Sequence, residues 1–235
     1  MSTTIVAVGD AREGGSIRRA LDGAVADAAA HLAERPTVRW VGTEDLAVDG
    51  GAKAELEGAA GVWVAPGSPY RSLEGALAAI SWARAHDVPL LGTCGGFQHV
   101  VIELARDLLG IADADHAESS PHAPHLAVTP LVCSLAGQEL EVRLVHGTRA
   151  AEAYDLATTV ESYSCSYGLN PDYLEPLVDA GLVVSGRDDE DQVRIVELPR
   201  LRFFVATLFV PQLSSTPAAP HPLVRAYVEA VAATG

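Results

Sequence analysis

The sequence has few basic residues, and this shortage limits the partners that the chain can bind. Its 235 residues include 16 Lys and Arg against 31 Asp and Glu, which gives a formal net charge of −15 at pH 7. Nucleic acids and anionic membrane surfaces attract proteins through clustered Lys and Arg side chains. The composition therefore argues against both as partners.

Long apolar runs and regularly spaced cysteines are also missing. The first apolar segment, Ile5–Val8, is too short for the core of a secretory signal peptide, and no segment has the length of a membrane span. The three cysteines, Cys94, Cys133 and Cys165, do not have the spacing of metal ligands. We expect a reduced, cytoplasmic protein that holds no metal.

The pattern of the first half predicts an α/β fold. Apolar residues make up 49% of the chain, and no repeat or linker interrupts it, so we expect one domain over residues 1–235. Strand patterns alternate with helix patterns, which is typical of a parallel sheet covered on both faces, with ligands at the carboxyl ends of its strands. The predicted elements are Thr3–Val8, Ile17–Ala33, Val38–Val41, Lys53–Glu57, Val62–Ala65, Leu73–Ala85 and Val88–Leu91.

The pattern changes after Gly110. Residues His116–Pro130 are polar and contain Pro and several His, so we predict a loop there. Closely spaced short strands follow, and their spacing indicates partly antiparallel pairing. They are predicted at Glu139–Val145, Thr158–Tyr163, Leu182–Ser185, Val193–Leu198 and Phe203–Leu208, with a last helix at Pro222–Ala232.

The segment between Leu91 and Val100 carries the strongest indication of chemistry. It reads Gly-Thr-Cys-Gly-Gly-Phe-Gln-His and places Cys94 between a predicted strand and a predicted helix. This is the arrangement of a nucleophile elbow, in which glycines permit a strained backbone and the helix N-terminus favours a thiolate. We predict that Cys94 is a reactive nucleophile; the alternative is a small buried residue at a tight turn.

The other glycine-rich loop, Gly9–Gly15, lacks both the G-x-G-x-x-G order and the Lys-Ser/Thr ending of a P-loop. We interpret it as a plain connection between a strand and a helix, and we expect no cofactor.

The elbow resembles that of a known family. Gly92-x-Cys94-x-Gly96-x-Gln98 matches the G-x-C-x-G-x-Q motif of class I glutamine amidotransferases. Further stretches resemble the amidotransferase domain of CTP synthase, in that domain's order and over essentially the whole chain. These stretches are Leu108–Ala114, Glu118, Val142–Leu144, Tyr167–Pro171, Gly181–Gly186, Phe203–Val205 and Pro220–Val224. The resemblance implies a freestanding relative with the family's flavodoxin-like three-layer α/β sandwich and a mostly parallel central sheet.

The resemblance also implies roles for individual residues. Cys94 would be the nucleophile, and the backbone N–H groups of Gly95 and of Gly67 or Ser68 would bind the oxyanion. The residues that would contact the substrate are Glu118, Gln98, Ser166 and Tyr167.

Two departures from the family pattern affect the expected activity. Val210 and Gln212 stand where the family has its catalytic His and the Glu that orients it, and Ser166 replaces an Arg that pairs with the substrate α-carboxylate. Ordinary glutaminase activity is therefore not expected. A substitute base would be needed, and we name His116 and His146 as candidates.

Three hypotheses follow for the function. The first is a Cys-dependent enzyme that acts on a small amide or a related metabolite. The second is an inactive relative that binds a metabolite or a protein partner, and the third is a subunit that supplies ammonia to a separate synthetase. The expected partners are a small-molecule substrate and, as a possibility left open, a second copy of the chain in a homodimer.

Overall fold

The computed structural model describes residues 3–234, and strands alternate with helices along its first half as predicted. The strands are β1 Thr4–Val8, β2 Thr37–Val41, β3 Gly61–Val64, β4 Leu90–Thr93, β5 Ala114–His116, β6 His125–Pro130, β7 Glu139–Leu144, β8 Thr158–Ser162, β9 Tyr167–Leu169, β10 Val183–Arg187, β11 Val193–Glu197 and β12 Phe204–Thr207. The helices are α1 Ser16–Ala28, α2 Thr43–Ala47, α3 Gly51–Leu56, α4 Leu73–Ala85, α5 Gly95–Leu108, α6 Arg149–Tyr154, α7 Leu174–Asp179 and α8 Pro222–Ala232.

Nine of the strands in residues 3–234 form one mixed sheet in the order β2-β1-β3-β4-β12-β11-β10-β7-β8. The first five of these strands are mutually parallel, and every later pair is antiparallel. The central strands β3, β4 and β12 are buried along their whole length, because helices cover both faces of the sheet. This is the predicted fold class, a three-layer α/β sandwich.

The helices form two groups of neighbours. In one group α4 contacts α2, α3 and α5, and in the other α8 contacts α1 and α6. No helix within residues 3–234 is long and apolar enough to cross a membrane.

A second sheet corrects the predicted loop at 116–130. Strands β5, β6 and β9 form a three-stranded sheet, and β6 occupies His125–Pro130. His116 ends β5 and is 1% exposed. Strands of three residues, such as β5 and β9, are too short to show an alternating pattern, so no local pattern indicates this sheet.

The predicted chemistry lies where the parallel strands end. Strands β4 and β12 are neighbours, with Thr93 beside Thr207 at the last paired position. Cys94 follows β4 directly, which places it at the carboxyl edge of the sheet, the usual ligand-binding edge of such folds.

Candidate active site

Cys94 occupies a strained turn between β4 and α5. Its backbone has φ of 53° and ψ of −106°, a conformation that residues other than glycine seldom adopt. The surrounding sheet holds it there, because the Cys94 N–H donates to the Thr207 carbonyl at 2.9 Å. Such strain is typical of functional turns and supports the predicted nucleophile elbow.

The glycines of the motif let another loop approach the elbow closely. A Cβ atom on Gly95 would lie 1.9 Å from the carbonyl oxygen of Gly67, and one on Gly96 would lie 2.2 Å from that of Val64. Only residues without a side chain permit this contact. The loop after β3 therefore lies against the start of α5, next to the Cys94 thiol.

Cys94 opens into a cavity of about 430 Å³, which we call the Cys94 cavity. Most of its lining is small or polar. The lining residues are Ser16, Ile17, Pro66, Gly67, Ser68, Cys94, Gln98, Glu118, Ser164, Cys165, Ser166, Tyr167, Val210, Gln212 and Leu213. This volume suits a small-molecule ligand.

The thiol of Cys94 lies beside a second thiol, that of Cys165. A hydrogen bond from Cys165 lowers the pKa of Cys94, and the N–H groups of Gly95 and Gly67 lower it further, while burial and the Glu118 charge act in the opposite direction. The same interaction raises the pKa of Cys165, which stays protonated. When Cys94 is a neutral thiol, Cys165 can donate to the Leu208 carbonyl, 3.1 Å away. The pair thus favours a Cys94 thiolate stabilised by a Cys165 thiol.

Glu118 provides the negative charge of the Cys94 cavity. It is the one charged side chain among the described lining residues, and its Oε2 accepts a hydrogen bond from the Ser68 hydroxyl at 2.5 Å. Ser68 and Glu118 thereby join the loop after β3 to the segment after β5. A carboxylate there favours a ligand that carries an amine or another N–H donor.

Gln98 and His116 connect α5 to the second sheet. Gln98 donates to the Tyr167 carbonyl at 2.9 Å, and its Oε1 lies 3.1 Å from His116 Nε2. The other ring nitrogen of His116 accepts from the Glu118 N–H at 3.0 Å. Burial lowers the pKa of His116 to about 4. His116 is therefore a neutral residue that positions Gln98 and Glu118.

The family follows from comparison with known proteins. A model of the glutamine amidotransferase class-I family matches residues 20–230. The chain belongs to this family.

Within this family, the chain is similar to CTP synthases. The chain is 37% identical over 219 residues to the CTP synthase of Saccharolobus solfataricus, covering 89% of this chain and 41% of that protein. It is 36% identical over 225 residues to the CTP synthase of Bacteroides thetaiotaomicron, covering 92% and 41%. The chain thus spans about two fifths of the length of these curated relatives.

Solved structures agree with this relation. The glutaminase domain of the Trypanosoma brucei CTPS, with bound acivicin, matches with a TM-score of 0.92 at 29% identity and covers 99% of this chain and 94% of that one. A glutamine amidotransferase from Thermotoga maritima, at 9% identity and a TM-score of 0.61, shares the fold and covers 100% and 98%. The resemblance seen in the sequence is confirmed at the level of the family.

The structure brings most of the predicted site residues of this amidotransferase domain together. Gly95 does not line the cavity, but its N–H donates to the Cys94 sulfur, as the N–H of Gly67 does. The others that line the cavity are Cys94, Gly67, Ser68, Glu118, Gln98, Ser166, Tyr167, Val210 and Gln212.

The two histidines proposed as substitute bases are corrected by the structure. His146 is exposed and lines a separate depression with Leu144 and Asp155. Both ring nitrogens of His116 are engaged away from the thiol, and His116 does not line the Cys94 cavity. Neither residue has the contact with Cys94 that a base requires.

Cys165 is not among the site residues predicted from the sequence. Cys165 is 5% exposed and does pack in the interior, but its thiol faces Cys94. One indication was available: Cys165 directly precedes Ser166 and Tyr167, the stretch that the resemblance assigns to the substrate.

Val210 and Gln212 lie beside the Cys94 cavity and are 3% and 4% exposed. The Val210 N–H donates to the Ser162 carbonyl at 3.0 Å. The Oε1 atom of Gln212 is buried and has no hydrogen-bond partner in the described part of the chain. A buried amide oxygen of this kind is satisfied when a ligand N–H reaches it.

Proposed function

We propose that the chain is a Cys94-dependent acyl-transfer enzyme that acts on a small molecule. The observation that carries the proposal is the elbow itself: a buried thiol with a lowered pKa, facing a cavity, with the Gly67 and Gly95 N–H groups directed at it. A thiolate is the reactive form of cysteine. In this proposal the same N–H groups would stabilise the oxyanion that forms when the thiolate attacks an acyl carbon.

The lining of the Cys94 cavity supports a substrate other than glutamine. Its described residues include no His, Lys or Arg, and the resemblance places Val210 and Gln212 at the positions of the base and its partner. After thiolate attack on an amide, the nitrogen must be protonated before it can leave, and a general acid contributes about 10²–10⁴-fold to such steps. We infer that the substrate is an activated acyl compound, a thioester or an aryl ester, whose thiolate or phenolate leaving group departs without a proton.

The charges of the Cys94 cavity indicate which acyl compounds fit. No guanidinium is present among the described lining residues to pair with an α-carboxylate, and Ser166 contacts Ser134 instead, with 2.7 Å between their hydroxyl oxygens. Glu118 and the free Oε1 of Gln212 both accept hydrogen bonds. The proposed substrate therefore carries an amine or amide N–H and no carboxylate at that position.

The test is acylation of the protein by 4-nitrophenyl acetate under single-turnover conditions. We expect a burst of one nitrophenolate per chain and an acetyl group on Cys94 in peptide mass spectrometry. The burst is lost in Cys94→Ser and retained in Cys133→Ser, since Cys133 is exposed and outside the cavity. Acetylation of Cys94 no faster than that of Cys133 would overturn the proposal.

Glutamine provides the second arm of the test. Ammonia release should be at least about 10²-fold slower than in a family member with the full triad. The double substitution Val210→His and Gln212→Glu places His and Glu at the positions of the base and its partner. It should increase the deacylation rate of acetylated Cys94. Fast ammonia release by the unaltered chain would instead support the third hypothesis, an ammonia-supplying subunit.

A metabolite-binding protein without chemistry is the second candidate function. The unpartnered Gln212 oxygen and the lack of a histidine in the described lining favour it. It predicts that Cys94 is acylated no faster than an exposed thiol, so the acetylation experiment separates the two.

A further inference from the structure

The Cys94 cavity holds two thiols, although one is enough for acyl transfer. Cys94 follows β4, and Cys165 lies between β8 and β9, so distant parts of the chain bring them together. Both are free thiols, 7% and 5% exposed, and both line the same cavity. The end of β12 lies against both residues, since the Cys94 N–H donates to the Thr207 carbonyl and the Cys165 sulfur lies 3.1 Å from the carbonyl oxygen of the next residue, Leu208.

We propose that Cys94 and Cys165 form a reversible disulfide when the site meets a hydroperoxide, so that the cavity contains a redox-active cysteine pair. The third cysteine, Cys133, is exposed and does not line the cavity. The proposal goes beyond acyl transfer and does not depend on it.

The chemistry has two steps. In the first, the Cys94 thiolate attacks one oxygen of the hydroperoxide, the O–O bond breaks, and Cys94 becomes a sulfenic acid while the alkoxide takes a proton and leaves as an alcohol. In the second, the Cys165 sulfur attacks the Cys94 sulfur, the S–O bond breaks, and hydroxide leaves with the Cys165 proton as water. Two thiols and one hydroperoxide thus give one disulfide, one alcohol and one water.

The surroundings suit each thiol to its step. Cys94 has the stabilised thiolate that attack on a peroxide requires, because three donors surround its sulfur: the Cys165 thiol and the N–H groups of Gly95 and Gly67. Cys165 is held as a thiol mainly by its hydrogen bond to Cys94. Once Cys94 is a sulfenic acid its negative charge is gone, and the main cause that keeps Cys165 protonated is gone with it.

The lining residues decide where the sulfenic acid reacts next. Among the described residues that line the cavity, Cys165 is the one thiol besides Cys94. A second thiol in the same cavity converts the sulfenic acid to a disulfide before a second peroxide can oxidise it to the sulfinic acid. Dithiothreitol reverses the change by thiol–disulfide exchange and is itself oxidised.

The experiment treats the Cys133→Ser protein with hydrogen peroxide at neutral pH and maps the cysteines by mass spectrometry. We expect a peptide pair that links Cys94 to Cys165, a chain lighter by two hydrogens, and full recovery of both thiols with dithiothreitol. Dimedone, which traps sulfenic acids, should label Cys94 in Cys165→Ala and give at least tenfold less label when Cys165 is present.

The unaltered chain repeats the mapping without any substitution, so the result does not depend on the folding of a variant. Two outcomes overturn the proposal: oxidation of Cys94 to the sulfinic acid with Cys165 still reduced, or a Cys94 reaction rate no higher than that of the exposed Cys133. In the first outcome Cys94 is still a reactive thiolate, so acylation by 4-nitrophenyl acetate persists; a missing nitrophenolate burst with the disulfide formed would overturn the proposed function alone.

Discussion

At the scale of single residues, the site depends on how one thiol changes the acidity of another. Burial alone raises the pKa of a cysteine, because a thiolate loses its hydration in the interior. At Cys94 the hydrogen bonds from Cys165, Gly95 and Gly67 outweigh that cost. The Cys165 thiol acts on Cys94 by stabilising its anion, and it does not accept the proton.

The first residue-scale prediction concerns Cys165→Ala. Removing its S–H donor should raise the pKa of Cys94 and slow its alkylation at neutral pH, because the hydrogen bond from Cys165 is the largest cause that lowers this pKa. The pH dependence of the iodoacetamide rate at Cys94, in a Cys133→Ser background, measures this value.

Cys165→Ser is the matched control, because the serine hydroxyl still donates and should shift the profile less. Glu118 and Tyr70 also interact electrostatically with Cys94, and both residues are unchanged in each variant. An unchanged midpoint in Cys165→Ala would show that the second thiol does not act on the first.

At the scale of elements, the elbow exists because two segments without side chains meet. The start of α5 approaches the end of β3 and the loop after it so closely that no room is left for a Cβ on Gly95 or Gly96. This contact aligns the Gly67 and Gly95 N–H groups on the Cys94 sulfur.

The element-scale prediction is that Gly95→Ala destabilises the fold and weakens the thiolate. Its Cβ would overlap the Gly67 carbonyl, which is backbone and cannot rotate away. We expect a loss of about 1–3 kcal/mol in the free energy of unfolding, the usual effect of overpacking, together with slower alkylation of Cys94 at neutral pH. Urea unfolding and the iodoacetamide rate measure the two effects.

Gly23→Ala in α1 is the control for this substitution. A Cβ there meets no atom within 4 Å, and alanine is favoured over glycine inside a helix by about 0.5–1 kcal/mol. The control should therefore be stabilised. Equal effects of the two substitutions would show that the close contact at Gly95 does not hold the elbow.

The sequence predicted these elements unevenly, for physical reasons. The buried central strands appear as unbroken apolar runs, and the Cys94 turn has a glycine pattern that few other turns need, so both could be found. The second sheet could not, because β5 and β9 have three residues each. The pairing of Cys94 with Cys165 depends on tertiary contacts between distant segments, and no local pattern encodes it.

At the scale of the whole molecule, two buried histidines make stability depend on pH. His99 packs against Tyr70, with 4.3 Å between ring centroids and 43° between ring planes, and its Nδ1 lies 2.7 Å from the Gly95 carbonyl oxygen. Burial lowers the pKa of both His99 and His116 to about 4. The α5 helix and the second sheet thus meet through neutral imidazoles.

The last prediction follows from the sign of these shifts. Between pH 6.5 and pH 4 the unfolded chain binds protons on both histidines and the folded chain does not, so stability falls as the pH falls through this window. Each histidine contributes a slope of up to about 1.4 kcal/mol per pH unit.

His116→Gln should remove about half of this combined histidine contribution, while substitution of the exposed His122 by Gln should leave it unchanged. Asp115 and Glu118, which lie near His116, are retained in both variants. Urea unfolding from pH 4 to 7 therefore measures the contribution of His116 to the pH dependence of stability. Equal slopes in the unaltered chain and in His116→Gln would show that His116 is protonated in the folded state. A protonated His116 could not accept the Glu118 N–H, so it could not help to position Glu118, the charged residue of the Cys94 cavity.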